Sequence, residues 1–184
     1  DYQNAVSFYQ EGVSRFPNDK NSPLYLLEIA KIWDDKLKDD DKAIKAYESV
    51  VAAYPKSEQT PAALFELGRI FEGLKRYEQV IEVYGRIVKE YPKSPMSPSS
   101  LITIGDCYEK MSDYEQAVTN YQRLYQEYPK DSHVPEVLYH AGQLCEENLN
   151  NTDKAIEIYQ LILKNFPDNP YTKKADSRVK KLGK

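Results

Sequence analysis

Apolar positions along the chain fall into short stripes of helical spacing, separated by polar turns. From Pro61 to Glu72, Leu64, Leu67, Gly68 and Phe71 stand at i, i+3, i+4 and i+7, which is one face of an α-helix. A proline in the first turn suits this start, because the N–H it lacks has no helical partner there. From Tyr77 to Tyr91 a second stripe holds Val80, Ile81, Tyr84, Ile87, Val88 and Tyr91. Pro92 ends it by disfavouring helical geometry in the residue before. Gly73-Leu74-Lys75-Arg76 is the turn between the two.

The same pair of stripes recurs. Aromatic-proline pairs stand at Phe16-Pro17, Tyr54-Pro55, Tyr91-Pro92, Tyr128-Pro129 and Phe166-Pro167, spaced 38, 37, 37 and 38 residues apart. Eight residues before each proline is a tyrosine: Tyr9, Tyr47, Tyr84, Tyr121 and Tyr159. Four before that is Ala5, Ala43, Val80, Ala117 or Ala155. Pro23, Pro61, Pro98 and Pro135 follow the first four pairs in register. An isolated helix pair of this length cannot bury its stripes, so stacked pairs must share a continuous core. The pattern predicts an all-α chain, a solenoid of antiparallel helix pairs. Its parts are a lone second helix in 1–17, full pairs in 23–55, 61–92, 98–129 and 135–167, and a terminal helix in 170–184.

The columns suggest the packing. Gly68, Gly105, Gly142 and Ala30 share one place on the first helix, and the Ala5 column is the small place on the second. Small facing small is expected to bring the helices close, with the tyrosine column filling the gap between pairs. Ser112-Asp113-Tyr114-Glu115 fits a capping box with Ser112 at the cap. Asp39-Asp40-Asp41 reads as acid opposing a helix dipole, in preference to a metal site.

These motifs resemble the tetratricopeptide repeat, whose signature is W-x2-L-G-x2-Y, then A-x3-F, then P. Here it reads Leu64-x2-Leu67-Gly68-x2-Phe71, Val80-x3-Tyr84 and Pro92, then Leu101-x2-Ile104-Gly105-x2-Tyr108, Ala117-x3-Tyr121 and Pro129. The period exceeds the usual 34 or so residues. The added length falls at Pro95-Met96-Ser97, with one further residue near Lys36–Asp40 and near Asn148–Thr152. With the Tyr-Pro-Lys-Ser segments at Tyr54–Ser57 and Tyr91–Ser94, this is similar to bacterial envelope members of the family. Those are the outer-membrane barrel-assembly lipoprotein and the Tol–Pal-associated periplasmic coordinator. The resemblance implies a right-handed superhelix and a periplasmic or outer-membrane-associated location, with the cytoplasm as the alternative.

Composition narrows the chemistry. Apolar residues make 41% and charged residues 29%, as in a folded chain with much surface. A net charge of −4 argues against a nucleic-acid surface. No apolar run approaches a membrane span. Asp1 reads as the edge of a longer or processed chain, without a leader pattern. Cys107 and Cys145 fall in apolar columns, where they are expected to be buried and unbridged. Glu136 and His140 are at i, i+4, a metal spacing, but a third ligand is lacking. No phosphate loop, G-x-S-x-G or H-E-x-x-H is present. The expectation is therefore no enzyme, no cofactor and no metal.

Function then rests on the groove. The family's ligand contacts carry over to Leu24, Leu27, Lys31 and Asp34; Ala62, Phe65, Arg69 and Glu72; Ser99, Ile102, Asp106 and Glu109; Glu136, Tyr139, Gln143 and Glu146. Leu27, Phe65, Ile102 and Tyr139 make an apolar column, and Asp34, Glu72, Glu109 and Glu146 an acidic one. Either they form a floor and rail for a basic, apolar peptide or helix, or the floor is packing and the acids are solvated. The paired Lys and Asn with which chaperone-tail binders in the family hold a terminal carboxylate are absent from the groove. The reading is a protein-interaction scaffold of an envelope complex. A structural spacer or oligomerisation arm acting through its ends, or a repeat domain of a larger enzyme, stays open. Ala5, Phe8, Tyr9, Val13 and Phe16 carry the stripe that meets a first helix in other repeats. Here that helix would precede Asp1, so the face is expected to be covered by another copy or by upstream repeats. The last helix, with Lys173, Lys174, Arg178, Lys180 and Lys181 off its apolar side, reads as a solvating cap.

Overall fold

The computed structural model describes residues 1–183, and among them every regular element is helical. The order is α1 (Tyr2–Arg15), α2 (Ser22–Lys31) with a π-helical turn at Ile32–Lys36, α3 (Asp40–Ala53), α4 (Thr60–Gly73), α5 (Tyr77–Glu90), α6 (Ser97–Lys110), α7 (Tyr114–Glu127), α8 (Val134–Glu147), α9 (Thr152–Asn165) and α10 (Pro170–Leu182). The chain forms two compact units, Asp1–Ser97 and the remainder from Pro98. In the first, each of α1 to α4 packs on its successor. In the second, α7 packs on α8, α8 on α9, and α10 on both α9 and α8.

In three of the four pairs, a glycine meets a tyrosine ring. A Cβ at Gly68 would lie 2.1 Å from Tyr84 Cε1, one at Gly105 2.2 Å from Tyr121 Cε1, and one at Gly142 2.4 Å from Tyr159 Cε1. This corrects the small-against-small expectation. The hydrogen side chain makes room for the phenol itself, and Ala43, Val80, Ala117 and Ala155 are fully buried. Tyr47, Tyr84, Tyr121 and Tyr159 are all at most 1% exposed. Tyr9 is only half-buried, stacked on Tyr25 at 5.5 Å between centroids.

Hydroxyls tie the segment between pairs. Ser22, Thr60 and Ser97 donate to the carbonyls of Phe16, Tyr54 and Tyr91 at 2.5, 2.6 and 2.8 Å, and Thr172 donates to that of Phe166. Each donor stands six residues after the aromatic one, so the chain is stapled just before the next helix. In the first unit, Tyr54 Oη also donates to the Pro17 carbonyl at 2.7 Å, and Tyr91 Oη to that of Pro55, linking successive repeats.

The turns inside pairs depart from the sequence reading at two points. The left-handed residue is Lys38, Lys75, Ser112 or Asn150, with φ between 51° and 62°, and no glycine takes that role among the described residues. Ser112 is therefore the turn residue, not the cap. Asp113 caps α7 by accepting from the Gln116 N–H at 3.2 Å. Asp39 does the same for α3, accepting from Lys42 N–H and Nζ, which holds its carboxyl below the usual range. The additional residue of the longer repeats widens the closing hydrogen bond. Arg76 N–H reaches back five residues to Phe71 and Asp113 N–H five to Tyr108. Asp39 and Asn151 reach back six, to Trp33 and Cys145. The π-helical turn after α2 is where the first of those residues is absorbed.

Candidate functional site

In the second unit, α6, α7, α8 and α10 surround a cavity of about 670 Å³. Ile102, Asp106, Glu136, Tyr139 and Gln143, all expected groove positions, line it together with Tyr121, His133, Val137, His140, Tyr171 and Lys174. Periodicity explains the first group, since residues three, four and seven apart share a helix face. His140 stands at i+4 from Glu136, with Val137 on the same helix, whereas Tyr121, Tyr171 and Lys174 required the neighbouring helices to be placed.

The carboxylates on this face have partners. Tyr121 Oη donates to Asp106 Oδ1 at 2.6 Å and lies 3.4 Å from Glu109 Oε2. His140 Nε2 donates to the same Glu109 oxygen at 2.7 Å, its ring tilted against that of Tyr121 at 5.7 Å. Glu136 accepts from Tyr171 Oη at 2.6 Å. Glu136 and His140, the pair with metal spacing, thus face different partners, and no cluster of three metal-ligating residues occurs among the described residues. Arg178 makes a two-toothed ion pair with Glu146, with its Nε 3.0 Å from Oε2. This corrects its placement among the solvated cations of the last helix. The Tyr159 hydroxyl, fully buried, has no hydrogen-bond partner. Glu146 is engaged by Arg178, and Gln143 stands where Asp106 stands one repeat earlier. Burial pushes the Tyr121 and Tyr159 phenols well above their ordinary value, so both stay neutral.

The matching face of the first unit is closed by its own charges. Asp34, buried, pairs with Arg69, whose Nε also lies 2.8 Å from Glu66 Oε2. Glu72 accepts from Tyr84 Oη at 2.7 Å, and Lys31 pairs with Glu28 at 3.0 Å. Leu27 is buried, while Phe65 is half-buried and stacked on Tyr84 at 5.4 Å. The acidic column is therefore neither a free rail nor simply solvated. Each member accepts from a side chain of its own chain: Arg69, Tyr84, His140 or Arg178. Sequence reading missed these because the ion-pair partners lie 31 to 35 residues away.

Both cysteines are buried and not joined in a disulfide, and burial raises the Cys145 thiol. No helix among the described residues is long and apolar enough to cross a membrane.

Sequence profiles described as tetratricopeptide repeat match residues 36–95, 100–131 and 136–169, more than half of the chain. The chain belongs to the tetratricopeptide repeat family. Solved structures agree on the fold. A tetratricopeptide repeat protein from Parabacteroides merdae superposes with a TM-score of 0.62 at 20% identity, over 88% of this chain and 60% of that one. The chain thus spans 60% of that relative's length. MamA of Desulfovibrio magneticus gives 0.58 at 16% identity, over 92% of this chain and 88% of its own. BtubC from P. vanneervenii gives 0.60 at 17%, over 92% and 77%. No curated protein matches in sequence. The tetratricopeptide repeat is a fold of protein-interaction scaffolds.

Proposed function

We propose that the second unit binds a basic, partly apolar peptide or helix in the cavity between α6, α8 and α10, without covalent chemistry. The observation that carries this reading is the gathering of Ile102, Asp106, Glu136, Tyr139 and Gln143 around one opening. Ile102 and Tyr139 offer apolar surface, and Asp106 and Glu136 have only tyrosine hydroxyls as partners, with no cation in ion-pair range among the described residues. A cationic side chain would therefore find unneutralised carboxylates. The partner is proposed to belong to a bacterial envelope complex, periplasmic or outer-membrane-associated, on the strength of the repeat length and the Tyr-Pro-Lys-Ser segments. The test is crosslinking from a photoreactive residue at Gln143, with fractionation of the native host. Adducts that form at Gln143 and vanish with Asp106→Lys support the reading. Adducts only from α1 positions overturn it.

One observation favours a second reading, a spacer acting through an end face. Phe8 of α1 and Phe16 just after it are 74% and 64% exposed, whereas Val83, Asn120 and Ile158 at the place of Phe8 are buried and Tyr54, Tyr91, Tyr128 and Phe166 at the place of Phe16 are half-buried. Sedimentation of the Phe8→Glu variant against the parent separates the readings. A concentration-dependent dimer lost in the variant supports the end face.

A further inference from the structure

We propose that Tyr139 and Tyr171 form a seat for an alkylammonium group, that the chain's own Lys174 occupies it, and that a lysine side chain of a partner binds by displacing Lys174. The proposal rests on the groove reading above and gives it a chemical specificity. The two rings come from different helices, α8 and α10, and meet at 5.6 Å between centroids with a 45° tilt. Lys174 Nζ lies 4.5 Å from the Tyr171 centroid and 5.8 Å from that of Tyr139. Both distances are within the reach of about 6 Å over which a ring quadrupole attracts a cation. The position of this ammonium shows that the wedge accommodates one.

Three features make the wedge a site for exchange. Tyr171 donates its hydroxyl proton to Glu136, which enriches its ring in electron density and strengthens its pull on a cation. The same carboxylate puts negative charge beside the wedge. Lys174 is an exposed residue with no ion-pair partner among the described residues, so leaving the rings costs it a rotamer change and little else. The rings border the open cavity of about 670 Å³, so an incoming side chain can approach from the groove while its neighbours rest on Ile102 and Val137.

The test uses n-butylammonium as the probe and n-butanol as its neutral match, with the whole chain labelled at lysine Cε for NMR. In the parent, the Lys174 Hε signals should be shifted upfield by the rings. Butylammonium should return them toward the free-lysine position, and butanol should leave them in place. Lys174→Gln should bind butylammonium about two- to five-fold more tightly, the size of one exposed cation–π contact. Tyr171→Leu and Tyr139→Leu, each checked for an unchanged thermal midpoint, should lose that binding. An unshifted Lys174 signal, equal effects of butanol, or no gain in Lys174→Gln overturns the proposal. Crosslinks at Gln143 that ignore Lys174→Gln and Tyr171→Leu but vanish with Asp106→Lys would leave the groove reading intact and remove the seat. Butylammonium binding with crosslinks only from α1 would do the reverse.

Discussion

Tyr121 and Tyr159 hold the same place in successive repeats, against Gly105 and Gly142, and their hydroxyls meet opposite fates. Tyr121 donates to Asp106 and approaches Glu109. Tyr159 has no partner, because Arg178 has engaged the equivalent glutamate and a glutamine replaces the aspartate. Tyr84 follows the first pattern, donating to Glu72. The ring is thus the constant of the repeat and the hydroxyl its variable. Shape is set by glycine and phenol, while the acid column is free to be assigned to a tyrosine, a histidine or an arginine of a neighbouring helix.

Alkaline pH should produce the largest effect and act on both tyrosines alike. Their folded pKa values are raised by burial, as is that of Tyr47, so their contribution is complete below the unfolded value near 10. It is lost as pH rises toward the folded values. Each tyrosine then removes about 1.4 kcal/mol of stability per pH unit above 10. Urea midpoints falling steeply above pH 10, with a shallower fall in Tyr159→Phe, are expected. A flat profile would show phenols that ionise freely.

Gly105→Leu and Gly142→Leu come next. Each should cost about 3 kcal/mol, the upper end of overpacking, since even a Cβ lies within 2.4 Å of the ring. Urea denaturation of the two variants should give matching losses. Unequal losses would mean that the repeats do not share this contact.

Smaller and more discriminating is removal of the hydroxyls. Tyr121→Phe leaves Asp106 without its donor and should cost about 1–2 kcal/mol, whereas Tyr159→Phe removes an orphan and should be neutral or stabilising. In an Arg178→Leu background Glu146 is released, and Tyr159→Phe should become costly. A double-mutant cycle measures this reversal.

The turns give the smallest contrast. Ser112 and Asn150 both adopt positive φ, the first before α7 and the second before α9. Ser112→Gly should add about 0.5 kcal/mol, and Asn150→Gly less, because asparagine enters that region more readily. Thermal midpoints decide.

What could be read in the chain was whatever recurs. Proline and tyrosine columns marked every helix pair and glycine three of the four, and Cys107 and Cys145 were placed in the core by column alone. Ser22, Thr60, Ser97 and Thr172 carried a further signal, a hydroxyl six residues after four of the five aromatics (Val134 follows Tyr128), whose carbonyl partner was overlooked. The left-handed turns were not legible, since Lys75 and Ser112 lack the glycine that usually marks one. Part of the cavity wall was also hidden. Tyr171 and Lys174 sit on the helix that read as a cap, and only the packing of α10 on α8 brings them to the site.

The π-helical turn after α2 has an optical consequence. It contains Trp33, the single tryptophan among 16 tyrosines, half-buried with the Lys42 ammonium 4.2 Å from its ring. Excitation at the red edge, where tyrosine does not absorb, therefore reports on the first unit alone, while far-ultraviolet dichroism averages over every helix. The molecule carries its own reporter of whether its two halves melt as one cooperative body or in sequence, and no label is needed to ask.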